Sequence, residues 1–219
     1  MHKGLDIVDK IINTDEIYEI LKKRIVNIEY EPGQVLNEED IATEFKVSRT
    51  PIRKIFQQLN ADKLINIIPR FGAQVTPIDF KYMKSVFEVT REIDPFAARL
   101  AASRISKAQI EELEEIMDRF QTYDLDKDYQ KAINDDERFH DIIFLSSGNQ
   151  CLADLLKGLH LHTERLWHYS EQYIDSMDIF TDTLGKVLKA IKEKNYEDAE
   201  KYAREHIDAF VEKIKQEML

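Results

Sequence analysis

Apolar residues in the second half of the chain return every three or four positions, in Leu152, Leu155, Leu156, Leu159 and Leu166 and again in Tyr202, Ala203, Phe210 and Ile214, with charged residues between them. That spacing is the period of an α-helix with one face against a core. Polar breaks fall at Arg104-Ile105-Ser106-Lys107, around Tyr123-Asp124-Leu125-Asp126, at Ser146-Ser147-Gly148-Asn149, near Ser176 and at Lys194-Asn195. Residues 79–219 are therefore expected to form an all-α antiparallel bundle of about six helices.

The first 78 residues follow a different rhythm. Ile17, Leu21 and Ile25 mark one helix, which ends before the turn Glu31-Pro32-Gly33. Asn37 caps a short helix carrying Ile41, Ala42 and Phe45, and a third helix with Ile52, Ile55, Phe56 and Leu59 on one face follows a turn at Val47-Ser48-Arg49. Pro51 sits in the first turn of that helix, where a missing N–H costs little. Two β-prone runs, Leu64 to Ile68 and Ala73 to Val75, flank Pro69-Arg70-Phe71-Gly72 as a hairpin would. Three helices and a two-stranded hairpin outline a winged helix-turn-helix. All five prolines lie in the first 95 residues. The domain boundary is placed at Thr76-Pro77-Ile78-Asp79, with Asp79 as N-cap, giving domains at 1–78 and 79–219.

Composition narrows the chemistry. Six glycines in 219 residues, no two closer than ten positions, leave no phosphate-cradling loop of the Walker or dinucleotide type. Cys151 is the only cysteine, which excludes an internal disulfide and a thiolate-built zinc site. The longest apolar run, Ile142 to Leu145, is too short to cross a bilayer. A cytoplasmic protein without a membrane partner is expected.

A net charge of −11 argues against nucleic acid until the charge is located. Residues 46–70 hold Lys46, Arg49, Arg53, Lys54, Lys63 and Arg70 against a single acid, Asp62, whereas residues 79–219 hold 20 bases and 30 acids. The acidity belongs to the helical half. Arg49 and Arg53, four apart, share the helix face opposite the apolar stripe, as a helix entering a major groove requires. Arg70 at the hairpin tip is placed to reach backbone or minor groove.

These residues resemble a known family. Pro32-Gly33-x-x-Leu36-x-Glu38-x-x-Ile41-Ala42, Val47-Ser48-Arg49-Thr50-Pro51-Ile52-Arg53 and Arg70-x-Gly72-x-x-Val75 are similar to the winged domain of GntR-family bacterial transcription regulators. Arg91-x-x-Asp94-Pro95, Ala101-Ala102, Asp136-x-x-Phe139-His140, Ser147-Gly148-Asn149 and Ala199 leading to His206 resemble the helical FCD domain of the FadR subfamily. The resemblance implies a homodimer that binds a palindromic double-stranded DNA operator and alters its grip when a small-molecule effector, commonly a carboxylic acid, occupies the helical domain. Carried over by position, Ser48, Arg49, Thr50 and Arg53 contact DNA, with Arg70 and Gly72 in the wing. Glu39 departs from the pattern, standing where some relatives have a DNA-touching arginine.

The resemblance also implies a divalent metal, Zn²⁺, Ni²⁺ or Mn²⁺, held by one Asp and three His at the effector pocket. Asp136, His140 and His206 match three of these ligands, and Leu184 stands where the fourth is expected. By spacing alone, Asp136 and His140 share a helix face and read first as a buried hydrogen-bonded pair. His162, on the stripe between Leu159 and Leu166, is expected to face the bundle interior as a substitute ligand; His160 and His168 fall off that stripe and are expected to face solvent. Arg91 reads first as a surface salt-bridge cation, and the resemblance makes it a clamp for an effector carboxylate. Arg165 is a second candidate effector contact. A metal-dependent enzyme using the bundle's Asp and His residues, and a non-DNA scaffold, are the competing readings.

Overall fold

A computed structural model of the chain describes residues 13–173 and 176–218. They form two compact units that divide between Pro77 and Ile78.

In the first unit, helix α1 (Thr14–Val26) starts at a capping box in which Asn13 and Glu16 satisfy each other's backbone N–H groups. Strand β1 (Val35–Leu36) precedes α2 (Glu38–Glu44), which Asn37 caps, and α3 (Arg49–Ala61) follows a tight turn. Ile17, Leu21 and Ile25 of α1 and Ile52, Ile55, Phe56 and Leu59 of α3 are buried in one core. Strands β2 (Ile65–Ile68) and β3 (Gly72–Val75) form the expected hairpin, but the sheet has a third strand. Its order is β1-β3-β2, all antiparallel, with Val35 opposite Gln74 and Leu36 opposite Ala73. Two residues are too few to show an alternating pattern, so β1 leaves no trace in the sequence. Gly72 is what permits it: a Cβ there would lie 2.3 Å from the Leu36 carbonyl oxygen, and its φ of +116° already disfavours a side chain.

The second unit comprises α4 (Phe80–Arg104), α5 (Lys107–Phe120), α6 (Leu125–Ser146), α7 (Gln150–Tyr169), a 3₁₀ turn (Glu171–Tyr173), α8 (Asp178–Lys192) and α9 (Tyr196–Met218). Asp79, Ser106, Asp124 and Asn149 cap α4 to α7 with their side chains. Helix α4 packs against α6, α7, α8 and α9, so the residues on its faces meet most of the bundle. Phe120, Phe139, Phe144 and Phe180 fill the core, and Trp167 stacks on Phe210 with centroids 3.9 Å apart. Leu155 departs from the apolar stripe and is exposed.

Pro95 lies inside α4, where a break would be expected. Proline has no N–H to give the carbonyl four residues back, which is that of Arg91. Nη1 of Arg204, from α9, donates to that oxygen at 2.7 Å, so the orphaned acceptor is satisfied from a neighbouring helix.

Candidate DNA-binding face and metal centre

Ser48 is the N-cap of α3 in extended conformation, and its hydroxyl makes no capping bond. Ser48, Arg49, Thr50 and Arg53 are all exposed, forming one polar surface at the start of the helix, opposite the buried Ile52, Ile55 and Phe56. Nη2 of Arg49 and Nε of Arg53 both donate to Oε2 of Glu38, each at 2.9 Å. Burial pushes the Glu38 carboxyl up, and the bonds from Arg53 and Arg49 outweigh it and hold it below the ordinary value. Arg70 occupies the tip of the β2–β3 loop at φ +72°, exposed beside Phe71.

In the helical unit, α6 carries Asp136 and His140 one turn apart and α9 brings His206 against them. Nε2 of His140 is 3.2 Å from Nε2 of His206 and 3.8 Å from Oδ1 of Asp136. The three potential ligand atoms lie within 4.8 Å of one another, and all three residues are buried. On its other edge, Nδ1 of His140 is 3.9 Å from Oδ2 of Asp94 on α4, which in turn lies 2.9 Å from Nε2 of His160 on α7. Thr183 meets Nδ1 of His206 through its hydroxyl at 2.7 Å. A small cavity of about 30 Å³ lies among Asp136, His140, His160, Thr163 and His206.

Electrostatics leave this group short of positive charge. Burial lowers His140 far below the usual imidazole range, reinforced by His160 and His206, and burial brings His206 down to about 4. Burial raises the Asp136 carboxyl far above the usual range, with Glu137 and Asp94 adding to it. Oδ1 of Asp136 has no hydrogen-bond partner. Two neutral imidazole nitrogens and an unsatisfied carboxylate oxygen converging on one point are the donor set of a borderline divalent cation. Bonds of about 2.1 Å place neighbouring ligand atoms about 3.0 to 3.4 Å apart. The 3.2 Å between the two Nε2 atoms falls in that range. The 3.8 Å from Nε2 of His140 to Oδ1 of Asp136 lies outside it, so the donor types suit the ion, and Asp136 would have to move closer to share it with both imidazoles.

The FCD domain family matches residues 85–209, and the "Bacterial regulatory proteins, gntR family" matches residues 13–75. The chain is a GntR-family transcription regulator with an FCD domain. It is 24% identical over 201 residues to the HTH-type transcriptional repressor RspR of Escherichia coli K12, covering 92% of this chain and 88% of the relative. It is 26% identical over 197 residues to the gluconate operon transcriptional repressor of Bacillus subtilis, covering 89% and 72%. The galactonate operon transcriptional repressor of E. coli K12 is 29% identical over 163 residues, covering 65% and 70%. Among solved structures, E. coli McbR/YncC shares the fold with a TM-score of 0.81 at 19% identity, covering 93% of this chain and 97% of that one. The relatives are regulators and not enzymes, which removes the metal-enzyme alternative.

The regulator's expected site residues separate into groups in the fold. Asp136, His140 and His206 are brought together. His162 is not among them: it is half-buried on α7, edge-on to the Tyr82 ring at 5.2 Å. The histidine that reaches His140 from α7 is His160, their ring centroids 4.8 Å apart, and His168 is buried near Glu137, so neither faces solvent as expected. The difference is one of helix phase. Leu156, His160, Thr163 and Trp167 form the inward stripe at spacings of four, three and four, and this stripe was legible in the sequence. Leu184 is buried beside Asp94 and His140, a leucine in the polar neighbourhood where a histidine was expected. Arg91 is exposed and donates from Nε and Nη2 to both oxygens of Asp208, at the rim of a separate groove of about 370 Å³ lined by Phe80, Met83, Phe87 and Val211. Arg165 is buried, which lowers its guanidinium to about 10. Among the described residues, no helix is long and apolar enough to cross a membrane.

Proposed function

We propose that this regulator acts as a homodimer on a palindromic duplex, reading it with Ser48, Arg49, Thr50 and Arg53, and that a small carboxylic acid bound in the helical domain beside a divalent ion changes its grip. The wing adds Arg70, with Gly72 shaping its backbone. The observation that carries the reading is the joining, in one chain, of an exposed basic helix face to a buried set of two neutral imidazoles and an unsatisfied carboxylate. Asp136, His140 and His206 would hold Zn²⁺, Ni²⁺ or Mn²⁺. With three protein ligands the ion keeps open positions, and when bound it supplies a Lewis-acidic anchor for a carboxylate. Two relatives are named for gluconate and galactonate operons, and both of those compounds are sugar acids. The effector acts only if it binds the DNA-competent and incompetent states with different affinity.

Fluorescence anisotropy on a duplex selected from a random pool tests the DNA half. Arg49→Ala and Arg53→Ala should each weaken binding by about 1–3 kcal/mol; undiminished binding would remove α3 from the interface. Elemental analysis of tag-free protein reloaded with Zn²⁺, Ni²⁺ or Mn²⁺ tests the centre. An ion that is retained by the wild type and lost in His206→Ala supports it, and a wild type that stays metal-free overturns it.

A further inference from the structure

Glu38 stands in an unusual place for an acid, between two cations that face DNA in the reading above. It is the first residue of α2, where a carboxylate is favoured by the helix dipole, and its side chain is only 18% exposed. Its Oε2 accepts from both Arg49 and Arg53, each at 2.9 Å, while those two guanidiniums are 54% and 61% exposed. Neutralising a phosphate does not require such a carboxylate. An acid beside two phosphate-seeking arginines weakens their long-range attraction for any duplex.

The geometry points to Glu38 as a positioning residue that trades general DNA affinity for sequence discrimination. It fixes the two guanidiniums side by side before DNA arrives, so less side-chain freedom is lost when they meet base edges. Arg53 gives Glu38 its Nε–H and keeps both terminal nitrogens, the fork that pairs with a guanine O6 and N7. Arg49 gives Nη2 and keeps Nη1 and Nε. On a wrong sequence the same arginines must turn to phosphates, and Glu38 opposes that by holding them and by its charge. Removing its charge should therefore move specific and non-specific binding in opposite directions, which loss of an ordinary surface acid does not do.

This inference rests on the assignment of Arg49 and Arg53 to the DNA interface, so the experiment carries both. The full-length protein is titrated by anisotropy against the duplex it selects from a random pool and against a scrambled duplex of the same composition, at several salt concentrations. Four variants are compared: Glu38→Gln, which keeps size and removes charge; Asp40→Asn, which removes a charge from the same exposed turn of α2; and Arg49→Ala and Arg53→Ala. Thermal melts confirm that each is folded. Glu38→Gln should weaken selected-duplex binding and strengthen scrambled-duplex binding, lowering their ratio by roughly fivefold to tenfold with a steeper salt dependence. Asp40→Asn should strengthen both alike. If Glu38→Gln shifts both duplexes together, as Asp40→Asn does, Glu38 is only a surface charge and the inference is overturned. If the arginine variants keep full affinity for the selected duplex, the assignment of α3 fails and the inference falls with it.

Discussion

Asp136 is buried with one oxygen lacking a hydrogen bond, and burial, then the Glu137 and Asp94 carboxylates, hold its carboxyl well above the usual range. A cation there needs the carboxylate form, so binding should expel a proton, and affinity should rise with pH up to the raised value. His140 and His206, lowered by burial, are already neutral near pH 7 and release none. Calorimetry of Zn²⁺ binding in two buffers of different ionisation enthalpy counts the proton; observed heats that do not differ between the buffers would refute this account of Asp136. Asp135, the adjacent residue, shows the opposite environment. Burial raises its carboxyl, but Nε and Nη2 of Arg119, at 2.8 and 2.7 Å, and the Tyr123 hydroxyl, at 2.6 Å, donate to it and bring it below the ordinary 3.8. A lowered carboxyl adds stability above its unfolded value and loses it as pH falls through the folded one. Asp135→Asn should therefore cost about 1–2 kcal/mol at pH 7. The difference from wild type, followed by urea melts, should close as pH drops below 3.8.

At the scale of elements, α4 runs through Pro95 because α9 supplies the hydrogen bond the proline cannot. The Arg91 carbonyl would otherwise be an unsatisfied acceptor, and Arg204 removes that cost. Arg204→Met should lower stability by about 1 kcal/mol, and the loss should shrink in a Pro95→Ala background, where the backbone amide of residue 95 can serve the same oxygen. Additive effects in that double-mutant cycle would show that Arg204 does not act through this carbonyl. The wing depends on an equally local feature. Gly72→Ala forces a methyl to within 2.3 Å of a backbone oxygen and should destabilise the first unit by more than about 2 kcal/mol, seen as an earlier thermal transition. Sequence periodicity found the helices, two of their caps, Asn37 and Asp79, and the breaks near 105, 123, 147 and 194, since these are written in residue types with direct backbone roles. It could not find β1, whose two residues gain their identity only from pairing with β3.

Taken as a whole, the molecule divides its charge: the acidic helical half dominates the total of −11, while residues 46–70 carry six bases and one acid. The slope of log affinity against log salt should thus stay below roughly 5 per protomer, the value reached if every base in that segment met a phosphate. A steeper slope would mean that bases outside residues 46–70 also touch DNA. Light scattering on the purified chain should give twice the 25.8 kDa mass of one protomer, and a mass of one protomer would remove the dimer from the proposed function.

The sequence by itself determined what depends on neighbours within a turn or two: helix periods, caps, the Arg49 and Arg53 face, the shared face of Asp136 and His140, and the concentration of positive charge in one segment. Only the tertiary structure decided which distant residues meet. His206 lies 66 positions from His140, Asp94 lies the same distance from His160, and Arg204 reaches Arg91 across 113. A helix turns about 100° per residue, so the two positions between His160 and His162 amount to more than half a turn. The stripe read from Leu159 and Leu166 pointed His162 inward. Packing against α4 and α6 rotated α7 so that His160 faces the cluster instead, because local periodicity fixes which residues share a face, and contact with neighbouring helices fixes where that face looks.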